Sequence, residues 1–237
     1  MSRRRVSRTE KTRRSGDFRG ESPGRIVREV ACGNPGSRRG RRVRTHTNPL
    51  KRFPNLEPPD WSEVFEDPSR PFFLEFGSSK GVFLLGHARN HPSANILGTE
   101  VRKPLVDRLE KIIRETPIRN AAVVYGNIAG RIAEFTPGGR IAGVYILFPD
   151  PWPKKRHRKR RIVQPELLEE LESLMDPGAG IELMTDHAGM AEWIEEVFAE
   201  SEAFRGASPL PLPARSHWQI HCDTTARPYR RFRYERV

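Results

Sequence analysis

The sequence predicts an α/β protein with a doubly wound, mostly parallel sheet. Two observations carry that prediction. From residue 72 to about residue 200, short apolar runs alternate with longer stretches of helical period. The most apolar run, Ile141 to Phe148, opens onto Pro149-Asp150-Pro151-Trp152 and then a dense basic segment. Strands separated by crossover helices pair in parallel, and sheets of this kind place ligands at the carboxyl ends of their strands.

The elements follow in order. Phe72-Phe73-Leu74-Glu75-Phe76 reads as a buried strand ending at Gly77, and Val82 to Arg89 as a helix. Asn95-Ile96-Leu97-Gly98 is a second strand, ending at Glu100. Pro104 suits the first turn of a helix running to about Glu115, with Leu105, Leu109, Ile112 and Ile113 as its buried face. Ala121 to Tyr125 is the third strand and Ile141 to Phe148 the fourth. Pro165 opens a helix with Leu167, Leu168, Leu171 and Leu174 as its stripe. Ile181 to Met184 is a fifth strand ending at Thr185-Asp186, and a helix with Trp193, Ile194, Val197 and Phe198 follows. Residues 204–237 carry few helix signals, and the alternation of Phe232 and Tyr234 with Arg233 and Glu235 predicts a final antiparallel edge strand.

Charge divides the chain. Residues 1–52 hold 17 Lys/Arg against 4 Asp/Glu and few large apolar residues, so they are expected to form a disordered basic tail; residues 53–237 form the domain. The whole chain carries +12, so the remainder is close to neutral. Its positive charge is concentrated in 154–161, where seven of eight residues are Lys or Arg. A local run of that density suits a polyanion such as RNA. The only cysteines, Cys32 and Cys222, form neither a disulfide framework nor a zinc cluster, so the reading expects no metal and a reduced, cytoplasmic setting. No stretch is apolar enough to span a bilayer, so no membrane partner is expected.

Leu74-Glu75-Phe76-Gly77-Ser78-Ser79-Lys80-Gly81 is a strand, a turn and a helix start, a setting in which a ligand approaches the backbone. Ser79 stands where a dinucleotide fingerprint has a second Gly. Glu100, ending the next strand, suits the two hydroxyls of a ribose. Nothing resembles a phosphate-clamping Lys-Ser/Thr pair, which favours a nucleoside without a triphosphate, S-adenosylmethionine being the natural candidate.

The set Leu74-Glu75-Phe76-Gly77…Gly81, Gly98-Thr99-Glu100, Phe148-Pro149-Asp150-Pro151-Trp152…Lys154…Arg156-His157…Lys159-Arg160-Arg161-Ile162-Val163 and Thr185-Asp186 resembles the bacterial tRNA (guanine-N7-)-methyltransferase family. The resemblance is collinear over roughly residues 70–200, and the Pro-Asp-Pro-Trp block with its basic run is its most specific part. It implies a Rossmann-like, class I S-adenosylmethionine-dependent methyltransferase fold. It also implies that Glu75, Gly77, Glu100, Asn127 and Asp150 line the cofactor site, Asn127 standing where the family usually has Asp. Lys154 and Asp186 would contact the guanine, and Arg156, His157, Arg158, Lys159, Arg160 and Arg161 would lie against tRNA. The family's C-terminal Thr-x-Tyr/Phe-Glu motif finds its counterpart in Phe232-Arg233-Tyr234-Glu235, with Phe at the Thr position, which makes Tyr234 and Glu235 substrate-binding candidates. By the resemblance the modified base lies in the tRNA variable loop.

Guanine N7 already carries a lone pair, so no base is needed to create the nucleophile, and positioning dominates. Carboxylates match the N1–H and N2–H₂ donors of guanine, and a cation matches O6. Asp150 is the expected catalytic residue, orienting the reactants. Trp152 has two uses, stacking on a base or packing under its loop. Two other classes stay open: an exocyclic-amino methyltransferase, and a non-catalytic RNA-binding protein with a degenerate cofactor site.

Overall fold

A computed structural model describes Asn48, Phe53 and residues 56–237; the expected basic tail over 1–52 lies, Asn48 apart, outside the described residues. Seven strands form one sheet in the order β3-β2-β1-β4-β5-β7-β6. They are β1 (Phe72–Phe76), β2 (Asn95–Glu100), β3 (Ala121–Tyr125), β4 (Ile141–Leu147), β5 (Met175–Thr185), β6 (Phe204–Ala207) and β7 (Arg230–Arg236). The first five pair in parallel, while β7 runs antiparallel between β5 and β6. All six residues of β2 are buried, as are the last five of β4. Strands covered on both faces read as continuous apolar runs, which is why β4 was plain in the sequence, while β2 was marked only by Ile96 and Leu97 between polar ends.

The helices are α1 (Trp61–Val64), α2 (Val82–Asn90), α3 (Lys103–Glu115), α4 (Pro165–Leu174), α5 (Ala188–Ala199) and α6 (His217–Thr225). On one face of the sheet, α2 and α3 deliver Phe83, Leu84, Val106 and Leu109 to a core shared with Tyr145 and Met184. On the other, α4 and α5 deliver Leu167, Leu171, Met190, Ile194 and Phe198. The stripe expected on α4 is buried in full. On α3 only Leu109 of the four expected residues is fully buried, joined by Val106.

Four expectations change. The fourth strand stops at Leu147 because Phe148 turns into the left-handed region, at φ 55°. The fifth begins at Met175 rather than Ile181, with a register shift between Ile141 and Gly143 of its partner. The last strand is not at the edge: β7 pairs with both β5 and β6, and β6 is outermost. The helix α6 was not expected at all. It starts at Ser216, whose hydroxyl accepts from the Gln219 N–H at 3.1 Å.

Candidate active site

Strands β1, β2 and β3 succeed one another outward in one direction and β4, β5 in the other. The direction reverses between β1 and β4, and at that switch point an open parallel sheet forms its ligand crevice. Glu75, Glu100, Asn127, Asp150 and Asp186 all lie at or just past the carboxyl ends of parallel strands, on this one edge.

The turn after β1 is held by two hydrogen bonds, Gly77 N–H and Ser78 N–H to the Thr99 carbonyl at 3.0 and 2.8 Å. A Cβ on Gly98 would lie 2.1 Å from Ser78 Oγ, so the turn packs on β2 only because that residue is Gly. Gly77 has φ +83°, and a Cβ there would meet nothing within 4 Å, so open space faces its backbone. Ser79 takes φ 50°, left-handed for a residue with a Cβ. That costs roughly 1–2 kcal/mol, so the missing second Gly strains the turn without abolishing it.

Glu75 is buried, and its Oε2 has no hydrogen-bond partner; neither has the buried Ser78 Oγ. Burial pushes the Glu75 carboxyl up to about 7, with help from the Glu100 charge; the Ser78 hydroxyl stands close enough to oppose the shift but makes no hydrogen bond of ordinary geometry. A buried carboxylate oxygen and a hydroxyl without partners, beside an open Gly backbone, suit a cationic and hydrogen-bonding ligand. The residues present therefore fit S-adenosylmethionine. Glu100, also buried, is by contrast held by four donors: the N–H groups of Ser79 and Arg102 and two nitrogens of the Arg102 guanidinium. Asn127 is half-buried, and its Oδ1 accepts from the Ala129 N–H at 3.1 Å, fixing its own turn.

The Pro-Asp-Pro-Trp segment is bracketed by left-handed residues, Phe148 at φ 55° and Trp152 at φ 41°. Such backbone persists only where the surroundings over-determine it. Here Phe148 N–H bonds the Met184 carbonyl at 2.8 Å, and Arg161 Nε bonds the Pro151 carbonyl at 2.9 Å. Asp150 between them is half-buried. Trp152 packs edge-on to His157 and lies under the Arg160 guanidinium at 5.0 Å, so its indole braces the loop. The basic run forms a 3₁₀ helix, Lys155–Arg160, with Lys154, Lys155, Arg156, Arg158 and Lys159 exposed and His157 and Arg160 half-exposed. Arg161 is a correction. It is buried, tied to Pro151 and stacked against Trp193 at 5.4 Å, so it holds the loop and is not exposed with the rest of the run.

Asp186 pairs with Arg227 at 2.6 Å and accepts from Trp218 Nε1 at 3.1 Å. Through those contacts α6 closes the crevice opposite the β4 loop. Lys80, from the turn after β1, meets His217 Nε2 at 2.9 Å. Gln219 Nε2 donates to Tyr229 Oη at 3.3 Å, and the Tyr229 ring lies edge-on to Phe148. Gln219 Oε1 is buried without a partner.

Tyr234 and Glu235 lie away from the strand ends that carry Glu75, Glu100, Asp150 and Asp186. In the antiparallel register Thr185 faces Arg230 and Gly180 faces Glu235. Five residues at about 3.3 Å each put Glu235 some 16 Å from the Asp186 end. Glu235 pairs instead with Arg233, which also holds the buried Glu182 at 2.7 Å. Tyr234 stacks on Phe198 with centroids 3.7 Å apart and, half-buried, packs against the core. What meets Asp186 is Trp218, on the segment Ser216-His217-Trp218-Gln219, which carries a hydroxyl, an aromatic ring and an amide at the spacing of the Thr-x-Tyr/Phe-Glu pattern. The sequence signal for it was an N-cap Ser followed three residues later by Gln.

A cavity of about 1090 Å³ lies elsewhere, beside the edge strand β3, lined among others by Phe53, Leu56, Ile113, Val123 and Tyr125. Among the described residues no group of three or more His, Cys, Asp and Glu could hold a metal ion, and no helix is long and apolar enough to cross a membrane.

A family described as "Putative methyltransferase" matches residues 69–219. The tRNA (guanine-N(7)-)-methyltransferase of Synechococcus sp. (strain JA-2-3B'a(2-13)) is 38% identical over 189 residues, covering 76% of this chain and 79% of its own length. That of Thermosynechococcus vestitus is 38% identical over 181 residues, covering 76% and 84%. Among solved structures, the 16S rRNA methyltransferase KamB superposes with a TM-score of 0.52 at 12% identity, covering 75% of this chain and 91% of its own. The antibiotic-resistance methyltransferase Kmr gives 0.52 at 14%, covering 75% and 90%. These last two likenesses are of fold. Fold, crevice and family match together define a methyltransferase built on a Rossmann-like sheet. At the identity of its cyanobacterial relatives, this chain belongs to the tRNA (guanine-N7-)-methyltransferase family.

Proposed function

We propose that this protein transfers the methyl group of S-adenosylmethionine to N7 of a guanine in tRNA, in the variable loop, and works in the cytoplasm where its substrate resides. One observation carries the reading. A buried acidic wall with partnerless oxygens, at Glu75 and Ser78, and an exposed cationic 3₁₀ helix meet at one sheet edge, joined by the Pro-Asp-Pro-Trp loop.

When bound, S-adenosylmethionine supplies a methyl group on a positively charged sulfur. Glu75 offers its unpaired oxygen to that cation, and the Gly77 backbone leaves room for close approach. Glu100 takes the ribose, and Asn127 lies at the next strand end for the adenine. Asp150, on a loop pinned at Phe148 and Pro151, orients the guanine, and Lys154 beside it suits O6. Asp186, Trp218 and Gln219 form the facing wall, and the Gln219 Oε1 acceptor suits a guanine N–H. The exposed cations of 154–160 grip the phosphates. N7 brings its own lone pair, so these residues need only align it and exclude water.

Calorimetric titration with S-adenosylmethionine and a single-turnover assay on tRNA test this reading. The wild type is expected to bind the cofactor and methylate. Asp150→Ala is expected to keep its fold and lose at least about a hundredfold in rate, the scale of a misplaced reactant. A folded protein that binds no cofactor, or an Asp150→Ala variant with normal turnover, would contradict it.

A further inference from the structure

Glu100 has no acceptor position left. Its Oε1 accepts from Arg102 N–H and Arg102 Nε, both at 2.9 Å. Its Oε2 accepts from Ser79 N–H at 2.9 Å and from Arg102 Nη2 at 2.7 Å. A carboxylate offers about four such positions. The two backbone donors are fixed, one by the turn after β1 and the other by the residue that begins α3. The Arg102 fork is therefore the only movable pair of donors on Glu100. A ribose diol brings two hydroxyl donors to the same oxygens, and the two sets cannot be accommodated together.

We propose that Arg102 is a positioning residue that competes with the ribose diol for Glu100, so that cofactor binding requires its guanidinium to leave. The proposal rests on Glu100 being the ribose carboxylate. The Arg102 side chain is 23% exposed and Glu100 only 2%, so the fork swings outward while the carboxylate stays. A second carboxylate also acts on Arg102: besides Glu100, the charge of Asp150 raises its pKa. Arg102 also balances the Glu100 charge when no diol is present, where two backbone N–H groups alone would hold a buried carboxylate.

The test uses the full-length protein and reads binding, not turnover. S-adenosylhomocysteine is titrated by calorimetry, and adenosine and dideoxyadenosine are measured as its competitors, the second lacking the diol. Arg102→Ala is expected to tighten S-adenosylhomocysteine and adenosine about fivefold, the scale of removing a partly exposed ion pair, and to leave dideoxyadenosine unchanged. Arg102→Lys keeps the charge but cannot fork across both oxygens, so a gain of about twofold is expected. If Arg102→Ala does not fold, the Lys variant decides alone, and no gain there overturns the proposal. Equal gain for adenosine and dideoxyadenosine would mean Arg102 only fills space, and weaker binding of adenosine would mean it supports Glu100; either overturns the proposal. A wild type that binds no S-adenosylhomocysteine would instead overturn the underlying assignment of the cofactor site.

Discussion

At Glu75 a single carboxyl ties burial to ligand charge. Its folded-state pKa, about 7, lies above the ordinary value of 4.5, so the fold favours the protonated form. The stabilising contribution is full below about 4.5 and is lost as pH rises towards 7. A cationic cofactor has the opposite preference and binds the ionised form. Its affinity is therefore expected to rise as pH is raised through about 7 and then level off, and Glu75→Gln is expected to remove that pH dependence. Calorimetry across that pH window checks both. The guanine wall makes a second residue-scale contrast. Gln219→Ala is expected to lower kcat/KM for tRNA about ten- to a hundredfold, the equivalent of about 1–3 kcal/mol for an unpaired buried group, with cofactor affinity unchanged. Glu235→Gln is expected to leave kinetics near normal, because Glu235 sits at the far end of β7 and pairs with Arg233. Steady-state kinetics of the two variants decide between these positions.

At the scale of elements, the basic run divides by burial. Replacing Arg156, Arg158, Lys159 and Arg160 together with Gln is expected to weaken tRNA binding and lower the slope of log K against log salt by about 0.7–0.9 per lost phosphate contact. Arg161→Ala is expected to leave that slope unchanged and lower stability by about 1–3 kcal/mol, because it frees the Pro151 carbonyl and the face of Trp193. Salt titrations and thermal melts separate the two. The run's position was legible because charge density and the Pro-Asp-Pro-Trp boundary are local features, whereas the inward turn of Arg161 is a tertiary one. The same division holds elsewhere. Strands β1, β3 and β4 could be read from their largely apolar runs, and β5 only over its buried half from Ile181, because its Met175-Asp176-Pro177-Gly178 start carries no apolar run. The helix α6 was missed because His217, His221, Asp223 and the two Thr residues, Thr224 and Thr225, are indifferent helix formers, and only its cap announced it. Tyr234 and Glu235 rest on matching a short motif to Phe232-Arg233-Tyr234-Glu235, and a four-residue match does not say which end of a strand meets the crevice, whereas Ser216-His217-Trp218-Gln219 offers the same spacing beside Asp186.

Across the whole molecule, the sheet order accounts for the site. Reversal between β1 and β4 opens the crevice, β2 and β3 bring Glu100 and Asn127 to one side, and β5 with α6 brings Asp186, Trp218 and Gln219 to the other. Residues 53–237 are close to neutral, so the cations of 154–160 stand out as a local patch beside that crevice. The central claim is that crevice and patch act on one substrate. Nucleoside analysis of unmodified tRNA, incubated with the protein and methyl-labelled S-adenosylmethionine, tests it most directly. The account predicts label in 7-methylguanosine and its loss with Asp150→Ala. Label in any other nucleoside, or none from a folded protein that binds the cofactor, would contradict it.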